Sequence, residues 1–568
     1  MSLMRTLDAG TMGNDVGPWP FLLAMFVVTL GGVFIVGTLI GILTTGLEGK
    51  LEELRKGRSW LVEEGHTVIL GWTLQIFTLL SELVVANANK PRSCIAILAD
   101  RDKVAMEDEL RSLLGPTGRT RIVCWSGDPL EMNDLQIVGI NESRAIIVLP
   151  TAGPDPDAEV IKTLLAVTNN LDRRPQPYHI VAEIRDAKNL SAASLAGHGE
   201  AERILASQLI ARIIAQTCRQ SGLSVVYSEL LGFASDEIYF HEEPALVGRT
   251  FDEALFAYED SALMWLVQDG QAHLNPPMDT RIRLGDQVIA ISEDDDTVRL
   301  SGLQDVEIRH EAIQSPPAIM PQPEHTLILG WNARAPFVVN ELEQYVAEGS
   351  ELAVVADYPG VEEALAHYCS GLRRLKVSCL RGDTTDRGTL DGLGIEAFHH
   401  VILLCYCDTL DRQQADARTL VTLLHLREIS ERYGHPFSIV SELLDERNRN
   451  LAEVTRADDF IVSDRITSLL LAQISENKRL NAVFADLFDA EGSEIYLKPA
   501  GHYVRLHESV NFYTVVEAGR RRGEVALGYR LHAFAQDASR FSGVVLNPDK
   551  SRTVTFDEAD RVIVLAEN

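Results

Sequence analysis

The chain has seven cysteines but no Cys-x-x-Cys pair, and it has no His-Glu-x-x-His and no visible Ser-His-Asp arrangement. It is also short of positive charge: 52 Lys and Arg stand against 82 Asp and Glu, a formal net charge of −30. The missing motifs remove the usual zinc, redox and hydrolase signatures. Cys405-Tyr-Cys407 is not read as a metal site, because no His/Cys partner pair comes after it. Cysteines in apolar runs, such as Cys94 and Cys124, read as reduced core residues of a cytosolic compartment. The acidity argues against nucleic acid and against a phosphate-binding role, since both need a basic face. It suits a surface that concentrates cations. The 46 % hydrophobic content is that of a globular protein, with length for about three or four domains.

One stretch lacks charge altogether. No ionisable residue occurs between Val16 and Leu47. Roughly 27 residues from Phe21 would make a helix of about 40 Å, longer than the ~30 Å hydrocarbon core of a bilayer. A signal peptide has a shorter apolar region and a basic segment directly before it. The run is therefore expected to span a membrane. Pro18 and Pro20 suit its entry. Lys50, Arg55, Lys56 and Arg58 lie after it, against Arg5 alone before it, which places the rest of the chain in the cytoplasm. Gly31, Gly32, Gly37 and Gly41 are candidates for close helix packing or for a gate hinge.

Beyond this run the chain repeats itself. HTVILGW from His66 returns as HTLILGW from His325, and CIAILAD ending at Asp100 returns as ELAVVAD ending at Asp357. VCWSGD returns as SCLRGD, HIVAEIRD as SIVSELLD, and SDEIYF as GSEIYL, in one order and at an offset near 257. The halves cover about 64–305 and 323–568, joined by the proline-rich IQSPPAIMPQPEH. In each, short β-branched runs alternate with helical patterns, which predicts an α/β, doubly wound parallel sheet. Two helices, Ile204–Gly222 and Ile466–Asn481, leave the sheets with apolar faces that need partners, and a smaller α+β lobe comes after each.

A dinucleotide fingerprint needs Gly-x-Gly-x-x-Gly after the first strand. Here the turns are Gly71-Trp72-Thr73-Leu74-Gln75-Ile76 and Gly330-Trp331-Asn332-Ala333-Arg334-Ala335, which keep only the first glycine. NAD binding is not expected, nor is enzymatic activity. Acids end several strands: Asp100, Asp128 and Glu183 in the first half, Asp357, Asp383 and Glu442 in the second. They read either as Ca2+ ligands or as helix caps and turn residues.

The Gly-Asp turn after the third strand, with the lobe LVGRTFDEA and LNPPMDTRIRLGDQVIAIS, resembles RCK (TrkA-N/TrkA-C) domains, cytosolic modules that gate potassium channels and transporters. Two in tandem behind one membrane helix, preceded by Asp8-Ala9-Gly10, is similar to the CASTOR/POLLUX ion channels, a family of plant nuclear envelopes with bacterial relatives. The resemblance implies a filter-like loop over 1–17, an inner pore helix over 18–48 and a linker over 49–63. It implies a first N-lobe over 64–222 with its C-lobe over 223–305, a linker over 306–323, a second N-lobe over 324–481 and its C-lobe over 482–568. Asp8, Ala9, Gly10, Thr11, Gly13 and Asp15 would then line an ion filter, glycine carbonyls replacing ion hydration. The family further implies a homotetramer in the cell membrane, permeant potassium and Ca2+-linked gating. Family members carry further helices before the filter, so a complete pore is not expected from this chain by itself. TMGND also departs from the potassium-channel pattern TVGYG. The alternatives are a membrane-anchored TrkA-like regulatory subunit of a separate channel and, third, an anchored NAD-binding oxidoreductase.

Overall fold

The computed structural model describes residues 17–55, 60–151, 153, 155–269, 271–303, 305–315, 322–434, 437–455, 457–488 and 492–567. The filter candidates Asp8, Ala9, Gly10, Thr11, Gly13 and Asp15 lie outside the described residues. Helix α1, Trp19–Arg55, begins with Pro18 and Pro20 around its first turn. Its segment Trp19–Thr44 is long and apolar enough to cross a membrane, and only 11 % of it is buried within the chain. The helix runs unbroken through Gly31, Gly32, Gly37 and Gly41 and past residue 48, into the segment expected to be a linker.

Each half then forms a six-stranded parallel sheet. The first comprises β1 (Thr67–Leu70), β2 (Ser93–Ala99), β3 (Thr120–Ser126), β4 (Ala145–Val148), β5 (Ile180–Ile184) and β6 (Ala201–Leu205), in the order β3-β2-β1-β4-β5-β6. The strand order reverses beside β1, so the crevice for ligands lies at the carboxyl ends of β1 and β4. Valine and isoleucine fill the middle strands because both faces are covered by helices. After a lobe built from β7 (Glu237–His241), β8 (Ala262–Gln268), β9 (Gln271–Leu274) and β10 (Gln287–Ser292), the plan repeats. The second sheet, β11 (His325–Leu329), β12 (Ser350–Ala356), β13 (Leu375–Arg381), β14 (His400–Leu403), β15 (Ser438–Leu443) and β16 (Asp459–Val462), has the order β13-β12-β11-β14-β15-β16. Its lobe contains β17 (Glu494–Pro499), β18 (Ser509–Asn511), β19 (Val525–Arg530), β20 (Val544–Leu546), β21 (Thr553–Thr555) and β22 (Arg561–Ala566).

The repeated glycine is structural. Gly71 and Gly330 have φ of +99° and +92°. A Cβ would stand 2.8 Å from the Leu149 carbonyl oxygen at the first and 2.1 Å from that of Leu404 at the second. Both are contacts that no side chain can make. This close approach of neighbouring strand ends accounts for the first glycine surviving where the fingerprint's others do not.

The two crossover helices find their partners in the opposite half. Helix α2 (Ile76–Ala86) belongs to the first unit, α3 (Ala206–Arg219) leaves it, α4 (Ala335–Tyr345) belongs to the second, and α5 (Ser463–Glu476) leaves that one. α3 packs on α4 and the second sheet; α5 packs on α2 and the first sheet. Ile210, Ile213 and Ile214 of α3 are buried at helical spacing, each contributing about 1.5–3 kcal/mol by burial. Ion pairs fasten the exchange at its margins. Arg212 Nε lies 2.9 Å from Glu341 and Arg219 holds Glu324 through two bonds of 2.9 and 3.0 Å. Reciprocally, Glu476 at the end of α5 takes Lys90 (2.9 Å) and Arg144 (2.7 Å) of the first unit. The apolar faces expected to need partners thus find them within one chain.

Candidate functional site

Three features bear on function: the membrane-length helix, the tether after it, and the crevices at the strand ends. In α1, a Cβ on Gly31, Gly37 or Gly41 would meet nothing within 4 Å. Packing inside this chain therefore places no demand for glycine there. From Leu61 onward the chain is fastened to the first unit. Leu61 N–H donates to the Ile137 carbonyl (2.9 Å) and Gly65 N–H to that of Glu142 (2.8 Å). Glu63 pairs with Arg121 at 3.1 Å. The chain from the helix is tied to the first unit before β1 begins.

The first crevice has a volume of about 460 Å3. Asp100 and Asp128 both line it, with Thr151 and Thr163. Asp128 shapes its own turn, accepting from Leu130 N–H at 2.9 Å. Trp72 occupies the phosphate turn, edge-on to Phe77 with centroids 5.9 Å apart, and the Arg101 guanidinium lies 5.3 Å from its ring centre. Asp100 and Asp128 therefore meet on one cleft, whereas Glu183 lines a different one. Among the described residues, the cluster of three or more acidic, His or Cys ligand atoms close enough to share one ion is Asp294–Asp296, which includes none of the six acids.

The second crevice, about 910 Å3, lies between the two units. Glu183, Arg185 and Asp186 reach it from β5 and the turn beyond, while Trp331, Arg334 and Tyr358 reach it from the second unit. Here the duplication has diverged in a way that fixes charge. Gln75 and Arg334 occupy equivalent places, each preceding the helix that comes after the repeated glycine. Gln75 Nε2 donates to the buried Glu183 at 2.5 Å; Arg334 Nη2 lies 2.5 Å from the buried Glu442. The amide carries no charge, so burial wins at Glu183 and raises its carboxyl above the usual range, despite Arg185 at 3.4 Å. At Glu442 burial again pushes up, but the Arg334 guanidinium, Ser463 Oγ (2.6 Å) and Asn332 Nδ2 (2.8 Å) hold the carboxyl below its usual range. Sequence reading missed Gln75, Arg334 and Asn332; their signal was position, two to four residues after the repeated glycine.

The remaining second-half acids also face arginine. Asp357 pairs with Arg381 at 3.2 Å and Asp383 with Arg418 at 2.7 Å. The second set is thus bound into ion pairs, while Asp100 and Asp128 line the first crevice beside threonine hydroxyls and Arg101, whose own ion-pair partner is Glu109.

Two doubly wound units in tandem, each with an antiparallel lobe, thus come after a membrane-length helix. Among solved structures the human SLO3 gating ring shares this fold, with a TM-score of 0.60 at 15 % identity over 88 % of this chain and 99 % of that one. A family model described as Castor and Pollux, part of voltage-gated ion channel, matches residues 207–307. The chain is 30 % identical over 605 residues to the ion channel CASTOR of Lotus japonicus, covering 100 % of this chain and 70 % of the relative. It is 30 % identical over 600 residues to a probable ion channel CASTOR of Oryza sativa subsp. japonica, and 29 % over 602 to a probable ion channel POLLUX of Arabidopsis thaliana. Each of these two alignments covers 99 % of this chain, with 66 % and 71 % of the relative. The chain therefore spans about two thirds of the length of these relatives. It belongs to the CASTOR/POLLUX family of ion channels.

Proposed function

We propose that the chain is a subunit of a ligand-gated cation channel, with potassium as the main permeant ion and a cytoplasmic gating ring formed by four copies. The observation that carries the reading is mechanical. A membrane-length helix, Trp19–Thr44, continues to Arg55, and the chain is fastened to the first unit from Leu61 onward. A rotation of that unit pulls directly on the helix, and the glycines of α1 supply its hinge or its contact with neighbouring helices. The acid-rich chain faces the cytoplasm because its basic residues flank the inner end of the helix.

Ca2+ is the proposed effector, and the first crevice is its proposed seat. Calcium takes six to eight oxygens. Asp100 and Asp128 offer two carboxylates without arginine ion pairs, and Thr151 and Thr163 add oxygens from the same walls. The acids of the second half, Asp357, Asp383 and Glu442, each meet a guanidinium that a cation would have to displace. An effector moves a gate only by its preference for one state. A tenfold preference is worth ~1.4 kcal/mol per site, so four sites supply about 5.5 kcal/mol, enough to carry a gate from mostly shut to mostly open. The reading gives NAD no part: Trp72 stands in the first phosphate turn with the Arg101 guanidinium 5.3 Å from its ring centre, and Arg334 in the second pairs with Glu442. The test is Asp100→Asn with Asp128→Asn. The double variant is expected to shift the Ca2+ dependence of open probability in bilayer recordings; an unchanged calcium response would move the effector site elsewhere.

A further inference from the structure

The opposite end of the second sheet holds a cavity of a different character. It has a volume of about 390 Å3 and opens at the N-terminal ends of β14, β15 and β16, away from the Gly330 turn. Its other walls are the end of α3 and the second lobe. In a chain of net charge −30, this cavity is lined by Arg219, Arg530 and Arg561 with His399, His400 and His532. Asp458 is the one carboxylate on its lining.

The cations are not equally occupied. Arg219 is bound to Glu324, which also lies 3.6 Å from His400. Neither Arg530 nor Arg561 has an ion-pair partner among the described residues. Arg530 donates to the carbonyls of Ser221 (2.6 Å) and Ser542 (3.3 Å). Arg561 donates to those of Ala559 (3.0 Å) and Asp560 (3.1 Å). The nearby acids feel Arg530 but make their hydrogen bonds to other groups: Asp458 accepts from Ile439 N–H at 2.7 Å, and Asp459 from Gly222 N–H at 2.7 Å and from Ser224 Oγ. Burial pushes the Asp459 carboxyl up to about 7, which weakens it as a counter-charge at neutral pH. Burial also lowers Arg530; Asp459 and Asp458 oppose this, and Arg561 adds to it from across the cavity. Two like charges thus face one space, a state that an anion relieves.

The backbone is shaped to keep Arg530 there. Gly222 has φ of +92°, and a Cβ on it would lie 2.4 Å from the Arg530 guanidinium carbon. Tying the α3 turn at Ser221 to the lobe explains one of Arg530's bonds. It leaves the second guanidinium and the exposed imidazole of His532 unexplained, while His399 accepts from His325 N–H at 2.9 Å.

We propose that this cavity binds a small phosphate-bearing molecule, with Arg530 and Arg561 gripping the phosphate oxygens and His532 donating from the rim. Guanidinium forks match phosphate geometry, and each such bond is charge-assisted. The walls come from the first unit's crossover helix, the second sheet and the second lobe. The bound anion would lock these three together, giving the chain an effector site apart from both strand-end crevices. The inference concerns binding and stands whether or not the chain conducts. It runs against the expectation that so acidic a chain has no phosphate-binding role.

The test uses the full chain in detergent and isothermal titration with sodium pyrophosphate, ATP and inositol hexakisphosphate at about 0.15 M salt, where diffuse attraction is screened. A dissociation constant below about 1 mM for at least one of them is expected, and which one binds most tightly identifies the source of the phosphate. Arg561→Gln and His532→Asn, both at exposed or half-exposed positions, should each weaken that affinity by about tenfold or more while leaving the unliganded melting temperature unchanged. The proposal is overturned by no binding of any of the three, or by binding that both variants retain at the parent's affinity.

Discussion

Replacing Arg334 by methionine keeps the length and much of the volume of the side chain but strands a carboxylate. Glu442 is 0 % exposed in its side chain and Arg334 only 15 %. Loss of one partner from a buried pair costs about 3–5 kcal/mol. Asn332 and Ser463 would still donate to Glu442, and such bonds to a charged group are worth about 1.5–3 kcal/mol each. They keep the site from collapse, and the low end of the range, about 3 kcal/mol, is expected at neutral pH. The first half supplies a natural control. Gln75 performs the same contact there with an amide, so Arg334→Gln should cost less, about 1–2 kcal/mol. The dependence on pH has a definite sign. In the parent, the Glu442 carboxyl is held low, and its stabilisation is lost as pH falls through that depressed value. Without Arg334 only neutral donors such as Asn332 and Ser463 oppose burial, which then raises the carboxyl; stability is greatest at low pH and is lost as pH rises. The deficit of Arg334→Met should therefore shrink as pH falls from neutrality toward the ordinary carboxylate range. Urea unfolding monitored by tryptophan fluorescence reads this, since Trp331 lies in the same site and is buried. A deficit below about 1 kcal/mol, or one independent of pH, refutes the idea that this pair neutralises the second site.

Three further outcomes are expected. Glu324, although burial opposes it, is held down to about 2 by His400 and Arg219. Its stabilisation is present above the ordinary carboxylate range and is lost as pH falls toward 2; Glu324→Gln should flatten the acid limb of melting temperature against pH, and a limb identical to the parent's would contradict the clamp. NAD and NADH should give no titration heat, and affinity tighter than about 100 µM (near −5.5 kcal/mol) would reopen the dinucleotide reading. The detergent-solubilised chain should scatter light as a tetramer, or as a dimer of that unit; a monodisperse monomer at micromolar concentration would leave the gating ring without support.

Much of the fold was legible because the chain states it twice. HTVILGW and HTLILGW mark β1 and β11, and the apolar runs after them mark the inner strands. β6 was hidden. Its AERIL runs straight into the apolar pattern of α3, and two of its five residues are charged, so no change of period announces where strand ends and helix begins. The exchange of α3 and α5 was hidden for another reason. A helical apolar face tells that a partner exists, not whether it lies in the same chain. The acids at the strand ends were visible as a set, but their charge was not. Whether Glu183 or Glu442 meets an amide or a guanidinium depends on residues more than a hundred positions away. The basic cavity was invisible for the same cause. Arg219, Arg530 and Arg561 are scattered over three elements, and the acidic total conceals their meeting.

Conduction coupled to an effector is the central claim. It is measured by single-channel recording of the protein isolated from its membrane with its associated subunits and fused into a planar bilayer under a potassium chloride gradient. Discrete currents are predicted that reverse near the potassium equilibrium potential, with an open probability that changes on adding Ca2+ to the side bearing the tandem units. Absence of current from an intact oligomer, or current that ignores Ca2+, phosphate-bearing ligands and every substitution at Asp100 and Asp128, would contradict the claim.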